Sequence, residues 1–146
     1  MSDFEIREIV FASSEYDDYT ALRDRILRQP LGLEFSEVDL DKEQTYRHFG
    51  LFEGENIFAT VMIVPYTDDS CQVRQMAVDF DRQGKSVGRI LLTAVEKQLY
   101  SDGIKQVFLH SRDVAIGFYE RLGYIPVGER FLEVGLPHQK MEKRLK

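Results

Sequence analysis

A glycine-rich segment in the middle of the chain, residues 79–92 (DFDRQGKSVGRILL), carries residue types that can bind phosphate. A Gly-Lys-Ser triplet ends the phosphate loop of many NTP-binding proteins, but that loop also needs a glycine five positions earlier. The residue at that position is Asp79. Its carboxylate and Cβ would stand where the backbone must wrap a triphosphate, so the segment disfavours an NTP-dependent kinase.

The same segment suits a diphosphate held by backbone N–H groups. A helix start leaves four N–H groups without acceptors, and the helix dipole places partial positive charge there. Gly84 and Gly88 would let the backbone approach an anion without a Cβ clash, and Lys85 and Arg89 add charge. On spacing alone, an ordinary turn before a surface helix fits equally well, because short glycine patterns are common by chance.

Length and composition are those of one soluble globular domain. The chain has 146 residues, of which 43% are hydrophobic and 30% are charged, so it can bury a sizeable core. No linker or repeat divides it, and we expect residues 1–146 to form a single domain. The net charge of −6 argues against a nucleic-acid partner, which would require a basic patch, and it favours cationic partners such as amines.

Three further features of the sequence bear on the compartment, a membrane partner and a metal site. They are the cysteine content, the histidine content and the lack of long apolar runs. One cysteine, Cys71, excludes an internal disulfide framework and indicates a reducing compartment. The N-terminus lacks a signal-peptide pattern, and no apolar run approaches the ~20 residues that span a bilayer. We therefore expect a cytoplasmic protein with no membrane partner. The three histidines lack metal-ligand spacing, so we predict no metal site.

The hydrophobic pattern predicts an α/β fold with a mixed sheet. Alternating and β-branched runs predict strands at residues 4–10, 46–52, 57–66, 71–78, 105–110, 124–134 and 138–145. Residues 34–43 are acidic and fit a short helix or a loop. The strand-helix-strand unit at 71–110 should be parallel and the hairpins antiparallel.

Three helices are predicted from caps and apolar stripes. The first follows Ser13 or Ser14 and ends at Pro30 and Gly32. The second follows the glycine-rich loop and ends at Asp102-Gly103, with Gly103 as a left-handed cap. The third is capped by Ser111, buries a stripe at Val114, Phe118 and Leu122, and ends at Gly123.

Two motifs at the right separation resemble the GNAT N-acetyltransferase superfamily. VRQMAVDFDRQGKSVGRILLTAVE resembles its acetyl-CoA segment, in which a strand runs into a Q/R-x-x-G-x-G/A loop at a helix start. Gln83 and Gly88 match that loop, and Ser86 replaces its middle glycine. VAIGFYERLGYIPVGE is similar to the A-x-x-x-Y-x-x-x-G-F/Y segment, and FLEVGLPHQKMEKRL resembles the closing hairpin of a small bacterial-type subgroup. In the second motif the matching positions are Ala115, Tyr119, Gly123 and Tyr124.

The resemblance implies a three-layer α/β/α fold whose mixed, mostly antiparallel sheet contains two central parallel strands that splay apart. These strands would be residues 71–78 and 105–110, with the pantetheine arm of acetyl-CoA in the gap and its diphosphate on the glycine-rich loop. Arg112, which stands where the family often has asparagine, could hold a phosphate of CoA. The implied cofactor-binding residues are Met76, Ala77, Val78, Gln83, Gly84, Lys85, Ser86, Val87, Gly88, Arg89, Arg112 and Phe118.

The implied reaction moves an acetyl group from acetyl-CoA to an amine of a small molecule or a protein by direct attack. Tyr119 stands at the position of the family's usual general acid. Its phenol is protonated at pH 7 and could protonate the leaving thiolate, although a packing role fits the same pattern. Several family members carry a glutamate base on the strand before the loop, where this chain has none, so the candidate bases are Glu133 and His138.

Fewer residues bear on the acceptor site, on an alternative function and on the oligomeric state. Glu37, Arg74 and Gln75 are candidate acceptor-binding residues, with Glu37 also a candidate base, and Arg74 suits a carboxylate or phosphate on the acceptor. A non-catalytic module that senses acyl-CoA is the alternative function, favoured by the missing strand carboxylate and by Ser86. An edge strand at residues 136–145 would allow two copies to pair as a homodimer.

Overall fold

The computed structural model describes residues 4–32 and 41–146, whose strands form one eight-stranded mixed sheet. The strands are β1 (Phe4–Ile9), β2 (Arg47–Glu53), β3 (Asn56–Thr67), β4 (Ser70–Val78), β5 (Gln106–Arg112), β6 (Ile125–Pro126), β7 (Phe131–Glu133) and β8 (Leu136–Arg144). Their order is β1-β2-β3-β4-β5-β8-β6, and β7 also pairs with β8. β4 and β5 are parallel, whereas the other pairs are antiparallel. This confirms the predicted α/β fold with a mixed sheet.

Helices pack on both faces of the sheet. α1 (Ser14–Arg23) begins at the predicted cap, because the Ser13 side chain accepts a hydrogen bond from the Tyr16 N–H. It continues through a π-helical turn, Asp24–Arg28, and a 3₁₀ turn, Gln29–Leu31. α2 (Val87–Ser101) ends at the left-handed Gly103 (φ 96°) as predicted, and α3 (Ile116–Arg121) is a short helix after a 3₁₀ turn.

The core lies between the sheet and the helices α2 and α3. The apolar stripe of α2 packs against inward-facing strand residues, and α1 packs on the opposite face against β3 and β4. On that opposite face, Phe108 and His110 of β5 stay partly exposed. The buried residues from α2 are Val87, Leu91, Leu92, Val95 and Leu99, and those from the central strands include Val61, Ile63, Val73, Val107 and Leu109.

Two predictions at the end of β5 are wrong. Ser111 does not cap a helix, because it is buried within β5 and its hydroxyl donates to the Arg112 carbonyl (2.9 Å). The 3₁₀ turn Asp113–Ala115 then separates the strand from α3. Val114 lies on that turn and is 86% exposed, so it does not belong to a buried stripe.

Two predictions near the C-terminus also need correction. Residues 124–134 are not one strand, because the left-handed Gly128 (φ 74°) lies between β6 and β7. β8 is not an edge strand, since β5 pairs with one side of it and β6 and β7 pair with the other. The pairing of two copies through residues 136–145 therefore lacks a free edge.

A buried polar network joins α1 to β2 and to the 3₁₀ turn Lys42–Thr45. Arg23 and Glu43 are 0% and 4% exposed, and they form a bidentate ion pair with N–O distances of 2.9 and 3.1 Å. The Tyr16 hydroxyl donates to the same carboxylate (2.7 Å). His48 donates from Nε2 to the Glu43 carbonyl, so its Nδ1 accepts from the Tyr19 hydroxyl (both 2.9 Å). Burial lowers the pKa of His48, which keeps the ring neutral.

Candidate functional site

The parallel strands β4 and β5 pair over only part of their length and then separate. Their pairing runs from Ser70 and Gln106 to Val73 and Leu109. Residues 74–78 of β4 and 110–112 of β5 continue beyond the last pair without pairing to each other. This confirms the splayed strands that the resemblance implied. It also leaves backbone groups facing the gap that need hydrogen-bond partners.

A bulge in β4 changes which side chains face the helices at this gap. Gln75 and Met76 together oppose the single residue Val61 of β3, and Gln75 has a left-handed φ of 53°. One extra residue reverses the alternation of side chains along a strand. Met76 and Val78, rather than Ala77, therefore point toward α2. The sequence carries no signal of the bulge, because neither bulged residue is a glycine.

The first turn of α2 has N–H groups without acceptors. The first helical hydrogen bond runs from the Ile90 N–H to the Ser86 carbonyl (3.0 Å), and no side chain caps the helix. The N–H groups of Val87, Gly88 and Arg89 therefore have no helical acceptors. Before them, Gly84 and Ser86 both adopt left-handed conformations, with φ of 77° and 62°. These groups lie where the sequence predicts an anion site.

Gly88 brings four of the predicted cofactor residues together. A Cβ added to Gly88 would lie 3.2 Å from Met76 Cε and 3.3 Å from both Phe118 Cζ and Val78 Cγ2. These distances are tighter than ordinary contacts, so glycine allows α2 to start close against β4 and α3. Gly88 therefore has a packing role against β4 and α3, whereas its role beside an anion stays a prediction.

We expect Ser86→Gly to raise the free energy of unfolding by about 0.5–1 kcal/mol. The left-handed conformation costs an ordinary residue about 1–2 kcal/mol, and glycine avoids this cost. Glycine also loses more chain entropy on folding, which offsets roughly half of the stabilisation. Urea unfolding measures the difference. Lys85→Gly is the matched control, because Lys85 lacks a positive φ and should lose about 0.5–1 kcal/mol. Equal losses in both variants would contradict strain at Ser86.

Tyr119 is buried on α3 beside the same residues. It is 8% exposed, and its ring meets those of Phe118 and Tyr124 edge-on. Burial raises its pKa, so the phenol keeps its proton. The Tyr124 hydroxyl donates to Glu96 (2.7 Å), but none of the described residues hydrogen bonds to the Tyr119 hydroxyl. Because this hydroxyl is not among the enclosed polar atoms that lack a partner, it is accessible to solvent or to a ligand.

The two candidate bases lie side by side with a histidine that the sequence pattern does not single out. His110 Nδ1 lies 3.1 Å from Glu133 Oε1, and His138 Nε2 lies 3.5 Å from Glu133 Oε2. Because Leu109 faces α2, His110 points to the opposite face of the sheet. These three side chains come together because β8 pairs with both β5 and β7.

The remaining predicted residues have simpler placements. Arg74 is exposed and follows the last paired residue of β4, and Gln75 Oε1 is buried without a hydrogen-bond partner among the described residues. Arg112 is exposed at the end of β5. Glu37 lies outside the described residues.

Burial raises the pKa of Cys71 to about 12, so its thiol stays protonated and is a poor nucleophile.

Asp79 has a structural role that the sequence did not indicate. Its carboxylate accepts from Arg25 of the π-helical turn (2.7 Å) and from the Asp81 N–H (3.1 Å). The guanidinium beside it holds its pKa below the usual value for aspartate. Asp79 therefore joins the end of α1 to the start of the glycine-rich loop.

The described part of the chain contains neither a group of side chains that could hold a metal ion nor a membrane-spanning helix. Within residues 4–32 and 41–146, no three histidine, cysteine, aspartate or glutamate side chains group in a way that could hold a metal ion. None of the helices described there has the length and apolar character needed to span a bilayer.

The sequence model of the acetyltransferase (GNAT) domain matches residues 24–145. The chain is 30% identical over 110 residues to the uncharacterized N-acetyltransferase YjcF of Bacillus subtilis (strain 168), covering 74% of this chain and 78% of YjcF. A candidate N-acetyltransferase from Lactobacillus plantarum has a crystal structure with a TM-score of 0.86 at 24% identity, covering 98% and 99% of the two chains. An aminoglycoside 6′-N-acetyltransferase in complex with coenzyme A has a TM-score of 0.80 at 16% identity, covering 96% of each. At these identities, the two solved structures show the fold alone.

Proposed function

Since this chain belongs to the GNAT acetyltransferase family, whose general reaction is acyl-CoA-dependent acetyl transfer, we propose that it acetylates a primary amine by direct attack on acetyl-CoA. The observation that carries this proposal is the split between β4 and β5. Beside it lie unpaired N–H groups of α2 and, on α3, the Tyr119 hydroxyl, which has no partner among the described residues. In this proposal residues 1–146 act as one acetyltransferase domain.

The residues around the split fit coenzyme A. The unpaired N–H groups of residues 87–89 would bind the diphosphate, with Lys85 and Arg89 supplying charge. The pantetheine amides would pair with the backbone of residues 76–78, which β5 leaves free. Arg112, at the open end of β5, is the candidate for a further phosphate contact.

Three proton transfers accompany the proposed reaction. The amine must first lose a proton, because only its neutral form has a lone pair for the thioester carbonyl carbon. As the C–N bond forms, the C–S bond breaks, Tyr119 gives its proton to the leaving thiolate, and the nitrogen loses a second proton to become a neutral amide. Arg74 and Gln75 follow the last β4–β5 pair directly, where they would contact the acceptor.

Titration calorimetry tests the cofactor assignment. We expect coenzyme A and acetyl-CoA to bind more tightly than ATP, because Asp79 and the single turn of free N–H groups do not suit a triphosphate. The proposed cofactor would be wrong if ATP bound more tightly.

A panel of amines, assayed for thiol release from acetyl-CoA, tests catalysis. Amines with and without a carboxylate should be included, because Arg74 would favour a carboxylate. We expect amine-dependent thiol release. Tight binding of acetyl-CoA without release for any amine would instead support the acyl-CoA-sensing module, which the absence of a carboxylate at residues 74–76 favours.

A further inference from the structure

Three titratable side chains form a compact group at the split, on the face of the sheet opposite α2. This group, the Glu133 cluster, consists of His110, Glu133 and His138. His110 is the first residue of β5 beyond the last β4–β5 pair. The Glu133 cluster therefore lies where the gap opens, across the sheet from the first turn of α2.

The hydrogen bonds of the Glu133 cluster leave a place for one proton between His138 and Glu133. Nδ1 of His138 faces the Leu136 carbonyl (2.9 Å), which can only accept, so Nδ1 carries hydrogen. In the neutral ring, Nε2 then carries no hydrogen, and its lone pair faces Glu133 Oε2, which lies 3.5 Å away. A proton between these two atoms would replace their repulsion with a charge-assisted hydrogen bond.

A hydrogen bond from His110 and the burial of His138 keep Glu133 and His138 in these positions. His110 donates from Nδ1 to the other oxygen of Glu133 (3.1 Å) because a carboxylate can only accept. His138 is 4% exposed, whereas Glu133 is about half exposed. The carboxylate can thus reach a ligand in solvent while the imidazole behind it stays shielded.

Aromatic rings surround the Glu133 cluster. Phe131 stacks on His138 with centroids 6.0 Å apart and meets His110 edge-on at 5.0 Å. Phe108 and Tyr66 extend this row of rings along the sheet, 5.0 Å apart, and Tyr66 is 71% exposed. Exposed aromatic surface beside a carboxylate suits an organic cation.

Other charged groups share this face. Lys140 pairs with Glu142 at 3.6 Å and lies over the Phe108 ring. Arg112 pairs in register with His138 at the end of β5, and Arg74 follows the last paired residue of β4. Glu133 is thus the carboxylate nearest the gap in this set.

From this arrangement we propose that the Glu133 cluster is the acceptor site of the acetyltransferase. Glu133 binds the ammonium group of a primary amine carried on an aromatic skeleton, and the Glu133–His138 pair takes the proton that the amine must lose. The proposal rests on the proposed function and specifies its substrate class. Phe131 would contact the ring of the acceptor, because Lys140 lies over the ring of Phe108.

The protons balance through the reaction. The ammonium gives one proton to the Glu133–His138 pair, and its nitrogen then attacks the carbonyl carbon. Nitrogen loses a second proton as the amide forms. This proton returns through water to the phenolate of Tyr119, which gave its own proton to sulfur. The proton on the Glu133–His138 pair passes to water, so one acetyl transfer releases one proton.

Two amines of nearly the same shape test the proton transfer in the full chain. 2-Phenylethylamine is an ammonium ion at pH 7, whereas 2,2-difluoro-2-phenylethylamine is a much weaker base. Because glutamine cannot take the proton, Glu133→Gln should lower kcat/KM at pH 7 by about 100-fold for the first amine. The loss should be less than about 10-fold for the second, which already supplies neutral amine.

Glu129→Gln is the matched control, because Glu129 is exposed on the segment before β7 and should leave both rates unchanged. Equal losses for the two amines in Glu133→Gln, or no loss, would overturn the role in proton transfer.

The aromatic part of the proposal has a separate measurement. Wild-type protein should prefer 2-phenylethylamine over n-butylamine by at least about 10-fold in kcat/KM, as one well-placed apolar group can provide. Phe131→Leu should remove most of that preference. No preference in the wild type would overturn the aromatic acceptor class.

Binding without acetyl-CoA separates this proposal from the proposed function. Addition of 2-phenylethylamine should shift the NMR signals of the His110 and His138 rings in the wild type and should not do so in Glu133→Gln. Absence of these shifts would overturn the acceptor site even if other amines were acetylated. Failure of acetyl-CoA to bind in calorimetry would instead contradict the proposed function.

Discussion

Replacing Tyr119 with phenylalanine is expected to lower kcat by about 10²–10⁴-fold, the usual range for loss of a general acid. The ring stays, so its contacts with Phe118 and Tyr124 should persist. The hydroxyl has no partner among the described residues, so its removal should leave the free energy of unfolding nearly unchanged. The KM for acetyl-CoA should change little, because the proton transfer acts in the transition state. Single-turnover kinetics with saturating amine measures the chemical step.

Tyr124→Phe is the matched control for this experiment. Its hydroxyl donates to Glu96, so the variant should lose about 1–3 kcal/mol of stability and keep its rate. A packing role for Tyr119 predicts a normal single-turnover rate in Tyr119→Phe, and that result would exclude Tyr119 as the acid.

Replacing Glu43 with alanine is expected to lower the free energy of unfolding by about 3–5 kcal/mol. The change leaves the guanidinium of Arg23, which is 0% exposed, without its bidentate carboxylate. It also removes the acceptor of the Tyr16 hydroxyl. Urea unfolding at pH 7 measures the loss, which would be a large part of the ~5–15 kcal/mol that stabilises a typical domain.

Glu55→Ala is the control for charge alone, because Glu55 is exposed in the turn between β2 and β3. It should change stability by less than about 0.5 kcal/mol. Arg23→Met combined with Glu43→Leu should recover most of the loss, since it replaces both buried charges with apolar side chains. A loss below about 1 kcal/mol in Glu43→Ala would mean that the Arg23 charge is satisfied without Glu43.

The loop before α2, the start of α1 and the end of α2 could be predicted because they depend on neighbouring residues. Ser13 caps α1 and Gly103 ends α2 as expected, since each satisfies local backbone groups. The glycine-rich loop leads into α2 at the predicted place. The parallel pairing of β4 and β5 follows in the same way, because a helix that connects two strands favours it.

The extent of that pairing could not be predicted in detail. The two strands separate after Val73 and Leu109, close to a bulge at Gln75 and Met76, which are ordinary residues in sequence. A bulge is set by the competing registers of neighbouring strands rather than by its own residue types. For a similar reason the packing role of Gly88 could not be predicted, because the side chains that its Cβ would meet come from β4 and α3.

The sequence by itself therefore determined the fold class, the loop at the start of α2 and the position of Tyr119 on α3, because these follow from spacing within one or two elements. Only the tertiary structure decided that Glu133, His138 and His110 form one cluster. Their strands are brought together by the pairing of β8 with β5 and β7. A shift of one residue in either pairing would turn the side chains to opposite faces. Such a register is fixed by packing of the whole sheet, and no local pattern carries it.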